Sequence, residues 1–195
     1  IKGLAYGENG FRHITNNIQP VHTPEDIEGQ KMRTLESPVH TDVFNAFGAN
    51  ASPFAFGEMY SSLQQGTYDA MESPIALLYT SNLYEVQNYM SLTSHVYMPT
   101  ALLMNDDFYK SLSGDHQKIV MDASEMFKDE QRQLEQEQNE EYMQEMVDAG
   151  LQVNELTDEE KQVFSEKAQP VFDKYEEILG PELFEKLDEA IEAAE

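Results

Sequence analysis

The chain is 195 residues long and carries 37 Asp plus Glu against 12 Lys plus Arg, a net charge of −25 at neutral pH. That length can bury a sizeable core, and ten Phe with ten Tyr argue against disorder. The acidity excludes a nucleic-acid or anionic-membrane footprint, the absence of cysteine excludes disulfides and cysteine-based metal or redox sites, and no apolar run approaches a membrane span.

Short β-type runs alternate with helical patterns, which predicts an α/β chain with a largely parallel sheet. Residues 1–6 (IKGLAY) read as a strand closed by a GENG turn at 7–10, and 11–15 (FRHIT) as a second strand. In 23–29 (TPEDIEG), Thr23 is placed as N-cap, Pro24 at N1 and Gly29 as stop. A strand at 30–35 (QKMRTL) leads into a helix at 37–48, with Ser37 as N-cap, Gly48 as stop and Val39, Val43, Phe44 and Phe47 as its buried stripe.

The unit recurs. Residues 52–56 precede a helix at 57–66, and 67–72 precede a helix at 73–86. Apolar runs at 89–98 and 100–106 belong to a sheet, with a pairing that the sequence does not reveal. From 115 to 149 there is neither Gly nor Pro, giving a helix of about 50 Å at 1.5 Å per residue. Its middle, 128–141, lacks an apolar face, so it is solvated or bridges two bodies. A strand at 151–156, a helix opened by the Thr157/Glu160 capping box and an amphipathic helix at 181–194 complete the chain. Acids crowd the second half: 27 of them lie in 106–195, against ten in 1–105.

Three strand-to-helix junctions draw attention: Arg33 to Ser37, Phe56 to Glu58, and Glu72 to Ser73. Carboxyl ends of parallel strands and helix N-termini form the edge where α/β proteins bind anions. Arg33 adds a planar fork matched to a carboxylate, and Arg12 a second positive contact. A plainer reading stands beside each: Arg33 paired with Glu36, Ser73 as an N-cap and Phe56 in the core. The five histidines show no zinc spacing, no EF-hand, P-loop, dinucleotide or nucleophile-elbow pattern is present, and no nucleophile has a base. No metal, cofactor or catalysis is therefore expected.

The motifs NGFRHITNN (9–17), TPEDIEGQKMR (23–33), the block from Glu36 to Pro74, YEVQNYMSLTSHVY (84–97) and LSGDHQKIVMDAS (112–124) occur in one order. In that order they resemble the solute-binding proteins of TRAP (tripartite ATP-independent periplasmic) transporters, of the dicarboxylate-binding (DctP) type. The resemblance implies a type II-like, periplasmic-binding-protein-like two-domain α/β fold with a long inter-domain helix, represented here mainly by the second domain. Residues 11–98 with 139–195 would form that domain, and 1–10 with 99–138 the remnant of the first and the crossing segments. A start at Ile1 fits a removed signal peptide or a chain lacking most of the first domain.

The implied function is periplasmic capture of a C4-dicarboxylate or sugar acid and delivery to the small and large integral-membrane subunits of a TRAP transporter. The other reading is a ligand-binding sensor domain of a signalling system. By resemblance Arg33 makes the main carboxylate salt bridge, Arg12 is the second arginine of the cleft, and Phe56 and Glu58 flank it. The family commonly reads VDGQENP where this chain has YDAMESP (68–74), so an amide beside Glu72 is replaced by Ser73 and a Gln by Met71.

Overall fold

The computed structural model describes residues 1–193, except for the side chain of Glu192. Its six strands are β1 (Lys2–Asn16), β2 (Lys31–Thr34), β3 (Asn50–Pro53), β4 (Ala70–Pro74), β5 (Tyr89–Met104) and β6 (Gln152–Glu155). The helices are α1 (Pro38–Ala46), α2 (Met59–Gln64), α3 (Ile75–Thr80), α4 (Asp106–Ser111), α5 (Gly114–Asp148), α6 (Asp158–Leu179) and α7 (Pro181–Glu192). The expected last position of the final helix, residue 194, lies outside the described residues.

One sheet holds all six strands in the order β3-β2-β4-β1-β5-β6. It is mixed rather than largely parallel. β2 pairs in parallel with β3 and β4, and β5 with β6, but β1 runs antiparallel to both β4 and β5. Two expected breaks are absent. The GENG segment continues β1 instead of turning, because Gly10, at φ 77°, allows a bulge in which two residues oppose one between the pairs Glu8↔Pro99 and Phe11↔Tyr97. The runs 89–98 and 100–106 likewise join as the single strand β5, across Pro99.

Strand alternation sends side chains to two cores. On one face Ile14, Met32, Ala70, Phe44, Phe47 and Phe164 pack beneath α1 and α6. On the other, Met71, Met90, Met59, Leu63, Leu78 and Met146 pack beneath α2, α3 and α5. The α1 stripe is as expected at Phe44 and Phe47, whereas Val39 is exposed in the first turn. Thr157 and Glu160 form the capping box of α6. The polar middle of α5 bridges to β1: the Gln131 amide accepts from Glu8 N and donates to Glu8 O, both at 2.7 Å, and Arg132 donates to Tyr6 O at 2.9 Å. No helix among the described residues is long and apolar enough to cross a membrane.

Candidate functional site

The carboxyl ends of β2 and β4 lie side by side, with Met32 level with Ala70. Alternation from that pair puts Arg33, Met71 and Ser73 on one face and Thr34 and Glu72 on the other. The sheet therefore divides the predicted residues: Arg33 and Ser73 face the α2/α3 side. Arg12 shares the parity of Ile14 and stands with Glu72 on the α1 side.

Arg33 is 2 % exposed. Its Nε and Nη2 donate to Phe54 O at 2.8 and 2.6 Å, which fixes the guanidinium plane. No carboxylate pairs with it among the described residues, so the Glu36 alternative is not formed; Glu36 lies on the exposed turn leading into α1. Burial pulls the Arg33 pKa down and the Glu72 charge pulls it up. An arginine so placed stays charged, so a buried cation is left with donors to spare. Ser73 is 1 % exposed, and its Oγ has no partner among the described residues. It is not an N-cap, because β4 runs on through Pro74 and α3 is capped by Pro74 itself.

Arg12 is differently engaged. Its Nε pairs with Glu72 Oε2, and its Nη2 donates to Glu72 Oε1 at 2.8 Å and to Glu72 O at 2.7 Å. Nη1 lies 3.1 Å from Met98 Sδ. Burial alone pushes the Glu72 carboxyl up, but hydrogen bonds and charges from His95 and Arg12 together hold it below the usual carboxylate range. Two buried opposite charges thus cancel, and Arg33 supplies the uncompensated one.

Phe56 and Glu58 occupy the 3-10 turn Phe56–Glu58 that opens α2. Phe56 is 40 % exposed, so it is not a core residue, and Glu58 is also exposed. Met71 is wholly buried among methionines and leucines. Sequence reasoning missed two histidines. His95 Nε2 lies 3.4 Å from Glu72 Oε2, and His40 sits half-buried in the first turn of α1. Burial holds the His40 imidazole below its ordinary value, and Arg12, His95 and Arg33 add to that against the pull of Glu72. No spacing rule connects His40 and His95, because the fold alone brings α1 and β5 together.

An apolar cavity lies on the α1 side of the sheet, apart from Arg33 and Ser73. It measures about 260 Å³ between α1, α6 and α7, and is lined by Val43, Phe172, Leu183 and neighbouring apolar groups that offer a carboxylate no cation.

Comparison with known proteins gives a consistent picture. The profile of DctP, bacterial extracellular solute-binding protein, family 7, matches residues 1–178. The 2,3-diketo-L-gulonate-binding periplasmic protein YiaO of Escherichia coli (strain K12) is 37 % identical over 166 residues, 85 % of this chain and 50 % of that protein. The C4-dicarboxylate-binding periplasmic protein DctP of Rhodobacter capsulatus is 35 % identical over 183 residues, 93 % of this chain and 55 % of that protein. Among solved structures, the sugar acid binding protein DctPAm of Advenella mimigardefordensis strain DPN7T, in complex with galactonate, superposes with a TM-score of 0.92 at 33 % identity. That match covers 99 % of this chain and 62 % of the other. The chain thus spans about half the length of the curated relatives it matches.

Proposed function

Because this chain belongs to family 7 of the bacterial extracellular solute-binding proteins, we propose that it captures a small organic carboxylate in the periplasm and passes it to the small and large membrane subunits of a TRAP-type transporter. The ligand class is a C4-dicarboxylate or a sugar acid, which is what the relatives' names and the galactonate complex describe for those proteins. The chain binds and releases this ligand unchanged and is not an enzyme.

One observation carries the reading: Arg33 is a buried, oriented guanidinium with no carboxylate partner among the described residues, on the same sheet face as Ser73, whose Oγ likewise has no partner among them. A ligand carboxylate is the group that would complete both. Arg33 would take it in charge-assisted hydrogen bonds, and Ser73 would contribute one more. Arg12, on the opposite face of the sheet and tied to Glu72 and Met98, would border the site from the strand ends rather than line it beside Arg33. Phe56 presents an exposed ring, and Glu58 an acceptor for ligand hydroxyls, at the rim.

We assign residues 11–98 with 139–195 to the ligand-binding second domain, and 1–10 with 99–138 to the first domain and its crossing segments. In support, the latter segments carry exposed apolar side chains, among them Tyr6, Leu103, Phe108 and Phe127, of the kind a partner domain buries.

The test is calorimetry with galactonate and succinate. Arg33→Ala is expected to weaken the better ligand about a hundredfold or more, because a desolvated charge pair loses one member. Equal affinity in the variant refutes the assignment.

A further inference from the structure

We propose that the apolar groove between α1, α6 and α7 is a docking surface for a basic amphipathic helix presented by another protein. The groove lies on the α1 side of the sheet, whereas Arg33 and Ser73 face the other side, so this inference does not depend on the anion site.

The groove is built from a pattern used twice. In α6, Val171, Phe172, Tyr175 and Leu179 lie at i, i+1, i+4 and i+8. In α7, Leu183, Phe184, Leu187 and Ile191 repeat that spacing, so each helix carries one apolar stripe. Gly180, at φ 91°, turns the chain between the two helices in a conformation that a side chain would strain. Val39 and Val43 of α1 form the third wall, and a cavity of about 260 Å³ lies between the three helices. The α7 stripe is only half used. Leu183, Leu187 and Ile191 are 55, 50 and 51 % exposed, and Phe172 and Leu179 across the groove are exposed as well.

Charge around the groove selects the occupant. Between residues 172 and 190 there are seven acids, all exposed, against Lys174 and Lys186. Lys174 is already paired, 2.6 Å from Asp42 Oδ2. A second copy would bring a further charge of −25 to this rim. A fatty acid or an anionic membrane would add negative charge too, and all three are repelled. A basic amphipathic helix instead meets opposite charge at the rim while its apolar face fills the groove. The 12 residues of α7 span about 18 Å at 1.5 Å per residue. That length matches about three turns of a partner helix, enough for apolar anchors at i, i+4 and i+7.

The test is fluorescence anisotropy of the intact chain with a labelled peptide of about two LKKLLKL heptads, which gathers leucines on one helix face and lysines on the other. Saturable binding with a gain of helical circular dichroism is expected. A peptide with glutamate for every lysine, and one of unchanged composition reordered to have no apolar face, should each bind at least about tenfold more weakly. Leu183→Lys combined with Leu187→Lys should weaken the basic peptide about tenfold or more, since both anchoring walls are lost. Leu103→Lys combined with Phe108→Lys, on exposed apolar positions outside the groove, should stay within about twofold. If the α7 double variant does not fold, Val39→Lys on the opposite wall takes its place with the same expectation. No saturable binding, equal binding of either control peptide, or equal losses in the two double variants would overturn the proposal. A low-salt dimer that the α7 double variant dissociates would assign the groove to a second copy and refute it. Displacement of the peptide by monomeric dodecanoate would assign the groove to a fatty acid and refute it as well. Affinity for galactonate or succinate should not change in the α7 double variant, so this inference and the proposed function fail separately.

Discussion

At Glu72 a carboxylate with no exposed surface is held by Arg12 and His95, so its removal leaves a buried guanidinium with nothing to neutralise it. Glu72→Leu should therefore cost about 3–5 kcal/mol of stability in urea unfolding, the range for one-sided loss of a buried pair. His13 sets a different dependence. Burial first, then the charges of His95 and Lys161, lower its pKa from 6.5 to about 4. The unfolded chain takes up a proton below the ordinary value while the folded chain does so only near the lowered one. This contribution is therefore complete above pH 6.5 and is lost as pH falls towards 4. Thermal midpoints should decline across that window, and His13→Gln should flatten the decline by up to about 3 kcal/mol. A His13→Gln profile parallel to the parent's would refute this. Arg33 as a candidate was legible in the sequence, since arginine is rare here and stands at a strand end. Its freedom from Glu36, and the engagement of Arg12 by Glu72, depend on which strands become neighbours.

Among the elements, α5 and β1 hold each other through the polar middle of the helix. A Cβ at Gly7 would fall on Gln131 Oε1, the atom that accepts from Glu8 N, so the glycine makes room for the amide clamp. Gly7→Ala is expected to destabilise by about 1–3 kcal/mol through loss of that pair of hydrogen bonds, with faster amide exchange at Glu8. Gly3→Ala on the same strand meets open space and should stay within about 0.5 kcal/mol. A Gly7→Ala variant as stable as Gly3→Ala would remove the clamp's role. Helices and caps were readable because they are local: the Thr157/Glu160 capping box and the uninterrupted run of α5 need only neighbours in sequence. The continuity of β1 and β5 was not, because Gly10 at positive φ looks, in sequence, like part of a turn and Pro99 like a break between strands.

The whole chain sets strong repulsion against many exposed apolar side chains. Its net charge is −25, yet Tyr6, Leu103, Phe108, Ile119, Phe127 and Leu134 are all exposed on β1, β5, α4 and α5. Charge should keep copies of the 195-residue chain apart at low salt. Near 1 M salt the screening length falls to about 3 Å and these apolar side chains should drive association. Sedimentation velocity at both salt levels checks this, and Leu103→Lys with Phe108→Lys should restore the monomer. A chain monomeric at both levels, or a double variant that still associates, would count against those side chains.

From the sequence by itself came the α/β class, most element positions, the absence of cysteine chemistry and, through the order of its motifs, the family. These depend on periodicity, caps and composition, which are properties of contiguous residues. Tertiary structure alone decided that the sheet is mixed, that Arg12 and Arg33 stand on opposite faces, and that His95 reaches Glu72. A change of one residue in strand register exchanges the two faces of a sheet. Register in turn is set by long-range pairing and by bulges that no local pattern records.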